Sequence, residues 1–374
     1  MRFIISKSHL VNGLNIVTKG VSHNTPIPVL TGVKFELKED GLILIGSDTD
    51  ISIKTFIPFK ENKKEVITVF DEGECVLQAK YINEIAKKME GERIEFELID
   101  GNLVKISDQK TNVNLNGISV EEYPFIDFAL NSEVIKIKGD VLKRVIQQTI
   151  FATSQKETRP ILTGVNFKID GNTLEATSTD TYRLARKKIV IGDTAYFNVT
   201  IPSKSLTEIS KIIEGNEEIH ISFYEKKVIF KLNNTIISSR VISGTYPETD
   251  RLVPKEFEIK LETIAGDVIS SIERASLLTT DRNNIVRLHM SPDKIEISSR
   301  SQEVGSVVER IEEFKYEGSK LEISFSAGYV LDAIKAIGSE DIEILFNGEM
   351  KPFIIKGKKD DSLTQLILPV RTYQ

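Results

Sequence analysis

The sequence predicts an α+β protein made of three tandem similar domains, each with two helices packed on antiparallel sheet. Three observations carry this expectation: an internal duplication that keeps its order over many segments, a fainter third copy, and one sequence of helices and alternating strands common to all three.

The duplication is read directly. Pro28-Val29-Leu30-Thr31-Gly32-Val33-Lys34-Phe35 returns 132 residues later as Pro160-Ile161-Leu162-Thr163-Gly164-Val165-Asn166-Phe167. The same shift carries Ser47-Asp48 onto Thr179-Asp180, Leu10 onto Leu142 and Leu14 onto Ile146. A shift of 124 matches Ala79-Lys80 with Ser203-Lys204, Ile85 with Ile209, and Glu90-Gly91 with Glu214-Gly215. Further on, Glu122-Tyr123-Pro124 matches Thr245-Tyr246-Pro247. The third copy survives in the apolar pattern: Val286, Leu288 and Met290 follow Val165, Phe167 and Ile169, and Leu331, Ile334 and Ile337 follow Leu206, Ile209 and Ile212.

Each copy opens with a helix, expected at 8–20, 140–151 and 264–278. Leu10, Leu14, Val17 and Val21 recur at helical spacing, which marks one apolar stripe. Alternating strands follow, with Val165, Phe167 and Ile169 on one face. Gly41, Gly101 and Gly171 punctuate turns. A second helix is expected at 80–89, 204–213 and 328–337, and more strands close each unit. Boundaries fall near residues 127 and 254, giving domains 1–127, 128–254 and 255–374. Domains with open sheet edges are able to pair with their neighbours, and two such arcs joined head to tail can close a ring.

Composition narrows the function. With 40% hydrophobic residues there is ample material for a core, but apolar runs such as Val228-Ile229-Phe230 are strand-length, too short to span a bilayer. The start of the chain lacks a long apolar stretch, so a cytoplasmic protein is expected. Cys75 is the single cysteine, which excludes an intrachain disulfide, and it reads as a small buried hydrophobe. His9, His23, His220 and His289 are scattered without metal-ligand spacing, so no metal or cofactor is expected. A net charge of −6 argues against a broad nucleic-acid-binding surface, yet an acidic exterior can coexist with one basic face.

Several segments point to one family. Arg159-Pro160-Ile161-Leu162-Thr163-Gly164-Val165, followed by Ser178-Thr179-Asp180-Thr181-Tyr182-Arg183-Leu184-Ala185, resembles the central domain of the bacterial DNA polymerase III β subunit, the sliding clamps. The ending Gln365-Leu366-Ile367-Leu368-Pro369-Val370-Arg371-Thr372-Tyr373 resembles the C-terminus of that family in Gram-positive bacteria, and Gly46-Ser47-Asp48 and Ser276-Leu277-Leu278 also fit. The resemblance covers the whole chain. It implies the DNA clamp fold, with a head-to-tail homodimer closing a ring of six domains around duplex DNA, held topologically and without base readout. It further implies nucleoid association and a non-catalytic processivity factor. The implied partners are the polymerase III catalytic subunit, an ATP-driven clamp loader, and other polymerases and repair proteins carrying clamp-binding peptides.

The resemblance also implies site residues. A peptide pocket between the second and third domains maps to Leu162, Thr179, Tyr182, Arg183, Leu184, Pro247, Arg251 and Leu252, with Ser326, Tyr329, Met350, Pro352, Leu366, Leu368, Pro369 and Arg371. Aliphatic walls suit apolar burial, and the arginine suits a backbone or carboxylate anchor. Taken singly, Leu162, Leu184 and Leu366 fit ordinary core better. Arg371, in an apolar C-terminal strand, does not, because an unpaired buried guanidinium is costly. Some relatives carry histidine where this chain has Tyr182.

A DNA-facing surface draws on lysines and arginines of the expected helices. These are Lys88, Lys143, Arg144 and Lys204, together with Lys19, Lys87, Lys211 and Arg274. The resemblance adds Lys156 and Arg183, while Asn24 stands where many relatives place an arginine. Contacts of this kind give weak, salt-sensitive, sequence-independent affinity. Each lysine alone fits a solvated helix face better. The dimer joint maps to Leu277 and Leu278, opposed by Ile85, Val113 and Leu115, and the leucine pair also fits ordinary core.

Catalysis finds little support. Ser178-Thr179-Asp180 has no histidine nearby in sequence, and Asp48 and Asp180 occupy equivalent repeat positions, as structural turns or caps do. Asp48-Thr49-Asp50 lacks the glycine and distal glutamate of a calcium loop, and no phosphate-cradling glycine motif is present. Two rival classes remain open at this level: a repeat-built peptide scaffold that never encircles DNA, and an α+β hydrolase or transferase.

Overall fold

The computed structural model describes residues 1–22, 24–130, 134–279 and 284–371. His23 and the terminal Thr372, Tyr373 and Gln374 lie outside them. Among the described residues, α1 (Lys7–Val17), α2 (Ala79–Lys88), α3 (Gly139–Thr149), α4 (Ser203–Ile212), α5 (Ala265–Ser276) and α6 (Ala327–Ile337) stand where the repeats place them. None is long and apolar enough to cross a membrane. Leu10, Leu14 and Val17 are buried on α1, whereas Val21 lies beyond the short 3-10 turn Thr18–Gly20 that ends the helix.

The chain forms two compact units. One comprises residues 1–141 and 204–241, the other 142–203 and 242–374. In the first, an eight-stranded antiparallel sheet runs in the order Val134–Lys138, Glu218–Phe223, Lys227–Leu232, Thr235–Arg240, Ile51–Pro58, Gly41–Ser47, Gly32–Lys38 and Gly73–Gln78. Thr235–Arg240 and Ile51–Pro58 belong to different repeats, yet they pair in register from Thr235↔Thr55 to Ser239↔Ile51. A five-stranded sheet completes this unit, with Asn112–Asn116 at one edge. Its core stacks Phe3 on Phe96, ring centroids 4.9 Å apart, with Phe35 tilted against Phe96. Gly13 lets α1 approach the sheet, because a Cβ there would stand 2.8 Å from the Leu44 side chain.

The second unit repeats the plan. Its seven-stranded sheet runs Gly164–Thr179, Arg183–Pro202, Leu363–Ile367, Phe353–Gly357, Asp341–Phe346, Ile259–Ile264 and Phe314–Glu317. The repeat boundary is again crossed by strand pairing, from Arg183↔Ile367 to Lys187↔Leu363. A four-stranded sheet has Gly305–Ile311 at its edge. The apolar positions that trace the third copy, Val286, Leu288, Met290, Ile334 and Ile337, share one core cluster. One expectation fails locally: Gly171 does not separate two strands. The strand Gly164–Thr179 runs through it, with φ +63 and a break in pairing register that glycine accommodates without a Cβ clash.

Cys75 is buried, and burial pushes its thiol up to about 12, as expected of an inert apolar filler. The described histidines each face a surface carboxylate: His9 with Glu61, His220 with Glu218, and His289 with Glu322. No cluster of metal-ligating side chains occurs among the described residues.

Candidate functional site

The motif around Asp180 is a turn that its carboxylate builds. Asp180 Oδ1 accepts hydrogen bonds from the Tyr182 and Arg183 amides at 2.9 and 3.0 Å. Asp48 Oδ1 likewise accepts from the Asp50 and Ile51 amides at 3.1 and 2.9 Å. Thr181 and Thr49 take left-handed backbone, with φ 80 and 83. In the third copy Ser301 Oγ substitutes, accepting from the Glu303 and Val304 amides at 3.3 and 3.4 Å. These are side-chain-to-backbone turns. The two carboxylates therefore serve the fold, each in its own turn.

The turn aims Arg183 back across the sheet end. Its Nε donates to Asp180 Oδ2 at 3.1 Å, Nη1 to Asp332 Oδ2 at 2.6 Å and Nη2 to the Phe151 carbonyl at 2.6 Å. Each of its three nitrogens thus has a partner. That arrangement suits a wall of the pocket better than a phosphate contact.

Beside Arg183, Leu184 pairs with Leu366, and with Ile354 they form a small buried cluster apart from the main core. Val253, Phe257, Leu345 and Leu368 pack against it. The corresponding pairing at the first repeat boundary sets Ser52 opposite Ser238. The same backbone joint is therefore leucine-lined at one boundary and serine-lined at the other.

The remaining pocket positions divide into floor and rim. Leu162, Thr179 and Ser326 are buried, with Leu162 fixed in the 3-10 turn Pro160–Thr163 and Thr179 Oγ1 donating to the Arg183 carbonyl at 2.6 Å. Tyr182, 59% exposed, stands out with Leu252 and Met350; Pro247 and Arg251 are exposed too, while Tyr329, Pro352 and Pro369 are half-buried. The Leu368 amide donates to the Tyr182 carbonyl at 2.9 Å and the Val370 amide to the Ser324 carbonyl at 2.7 Å, which fixes the chain end alongside. Arg371 was expected in a strand. The strand ends at Ile367 and Arg371 is exposed, so no guanidinium is buried there. Sequence reasoning missed Ile354, Asp332 and Phe151. Asp332 follows Tyr329 by three on α6, a same-face spacing that was available to find it.

The basic candidates differ in how they are held. Arg144 on α3 and Lys156 are exposed. Lys88 lies 3.7 Å from Glu84, and Lys204 donates to Asp48 at 2.7 Å with its side chain mostly exposed. Lys143 is half-buried on α3. Lys211 and Arg274 pair with Glu208 and Glu309, and Lys19 donates to the Asn15 carbonyl. Exposed pairs of this kind are weak and exchange readily. At the positions expected for a dimer joint, Leu277 is 78% exposed and Leu278 half-buried just past α5. Val113 and Leu115 are half-buried on the edge strand Asn112–Asn116, and Ile85 is half-buried on α2.

Three family models match the chain in order: DNA polymerase III beta subunit, N-terminal domain, over residues 1–127; central domain, over 136–248; and C-terminal domain, over 250–371. The chain belongs to the DNA polymerase III beta-subunit family. The beta sliding clamp of Bacillus subtilis is 44% identical over the full length of both chains, and that of Staphylococcus aureus 41%. A crystal structure of the Bacillus subtilis sliding clamp superposes with a TM-score of 0.96 at 43% identity over all of both chains. The DNA polymerase III beta chain from Streptococcus pneumoniae gives 0.94 at 32%, covering 99% of this chain and 100% of that one. As a sliding clamp the protein is a processivity factor for DNA replication, a non-catalytic subunit working with DNA and a DNA polymerase.

Proposed function

We propose that two copies of this chain close head to tail into a ring of six domains, with boundaries near residues 127 and 254 in each copy. The ring holds duplex DNA topologically and slides. Exposed Leu277 with Leu278 supports one side of the joint, and the open edge strand carrying Val113 and Leu115, with half-buried Ile85 on α2, supports the other. Arg144, Lys156, Lys88, Lys143 and Lys204 face the DNA in this reading and supply screened, sequence-independent attraction. Arg183 belongs to the pocket wall.

The observation that carries the peptide-docking part is the Leu184–Leu366 pair with its exposed rim of Tyr182, Leu252 and Met350. Clamp-binding peptides of the polymerase III catalytic subunit, the clamp loader and other polymerases and repair proteins dock there. Tethering raises a polymerase's effective concentration at the primer end. The protein works in the cytoplasm, on the nucleoid.

The test is retention on nicked circular DNA after loading with a bacterial clamp loader. Loss of protein only on linearisation is expected. Retention that ignores the cut overturns the ring.

A further inference from the structure

The boundary between the first two repeats carries its own groove, distinct from the leucine-lined pocket. Tyr123-Pro124-Phe125-Ile126 is the repeat counterpart of Tyr246-Pro247-Glu248-Thr249. Tyr123 is buried and its hydroxyl donates to the Ile45 carbonyl at 3.3 Å, which pins the segment over the sheet. Between the segment and the strands lies a cavity of about 480 Å³, within the size range of ligand clefts. Ile43, Ile45 and Phe128 line it, and Phe125 stands at its wall 93% exposed.

The charges in the lining do not cancel. Glu36 is held by Lys34 at 2.7 Å and Lys38 at 3.2 Å, and Glu74 by Lys34 at 2.8 Å. Lys54, the third ammonium, makes no ion pair among the described residues and lies over the Phe128 ring, 5.0 Å from its centroid. It is half-buried, and desolvation lowers its pKa. A partly desolvated cation in a cavity whose wall also carries exposed Phe125 is complementary to a carboxylate next to an apolar side chain.

We propose that this groove docks a short extended peptide whose acidic side chain meets Lys54 Nζ while an adjacent bulky apolar side chain packs on Ile43, Ile45 and Phe125. Its lining of Ile43, Ile45, Lys54 and Phe125 contains no leucine, so its ligand differs from that of the Leu184–Leu366 pocket. Docking here requires neither the ring nor that pocket.

The chain has no tryptophan, so a tryptophan-bearing probe reports its own burial. The experiment titrates the full chain into acetyl-Glu-Ile-Trp-Glu-amide, follows the emission shift, and maps amide hydrogen exchange at saturation. A saturable blue shift is expected, with protection confined to 43–45 and 123–128. Lys54→Gln, Phe125→Ala and the uncharged acetyl-Gln-Ile-Trp-Gln-amide should each weaken binding on the order of tenfold. Phe125 is exposed, so its removal leaves the fold intact. No saturable shift, affinity unmoved by both substitutions, or protection at 363–371 in place of 123–128 overturns the proposal.

Discussion

Arg183 lies with its guanidinium carbon 4.4 Å from the centroid of the Tyr329 ring, a cation–π pair that joins the start of the strand Arg183–Pro202 to α6. With Asp180, half-exposed Asp332 and the Phe151 carbonyl it forms one network.

Removing the side chain leaves Asp180 without its cation, so Arg183→Ala should lower the free energy of unfolding by about 2–3 kcal/mol. Arg183→Lys should recover less than half of this, since a point charge cannot serve three directions. Tyr182→Ala, at the exposed rim, should stay within about 0.5 kcal/mol in stability while weakening peptide binding on the order of tenfold. Urea midpoints and peptide titrations separate the two behaviours; equal losses of stability would contradict the floor-and-rim division.

The double variant Leu277→Asp with Leu278→Asp should sediment as a monomer at concentrations where the native chain is a dimer. Circular dichroism checks that α5 survives. An unchanged dimer removes these leucines from the joint.

Charge reversal at Arg144 and Lys156 should weaken unloaded binding to duplex DNA and reduce the salt slope by about one for each phosphate left unneutralised. Topological retention of loaded protein should persist. If the slope does not move, the two residues do not face DNA.

Asp108 accepts hydrogen bonds from the Gly91, Lys110 and Thr111 amides, which depress its carboxyl to about 2. The folded state thus favours the ionised form. Its contribution to stability is present above the unfolded value near ~4 and is lost as pH falls through about 2. Asp108→Ala should flatten the urea midpoint between pH 4 and 2, and an unchanged slope would rule out this anchor.

Repeat periodicity revealed the helices because Leu10, Leu14, Leu142 and Ile146 keep their spacing, and burial enforces spacing. Strand partners across the boundaries were legible only as open edges. Ser52↔Ser238 and Leu184↔Leu366 depend on register between residues far apart in the chain, which local pattern does not encode. That Leu184 and Leu366 belong to a peptide pocket was expected only from family resemblance; folding shows them paired in one small buried cluster. Ile354 and Asp332 escaped because a buried isoleucine and a helix-surface aspartate look ordinary until folding brings them to Leu366 and Arg183.

The strand pairing at each repeat boundary has a mechanical consequence. From Thr235↔Thr55 to Ser239↔Ile51, and from Arg183↔Ile367 to Lys187↔Leu363, neighbouring repeats share a backbone ladder of the kind found inside any sheet. Such a seam resists load with several hydrogen bonds strained together. In the proposed ring both repeat boundaries within a copy are held by such seams and by the continuous chain, so opening is expected at a joint between copies, which no covalent link crosses.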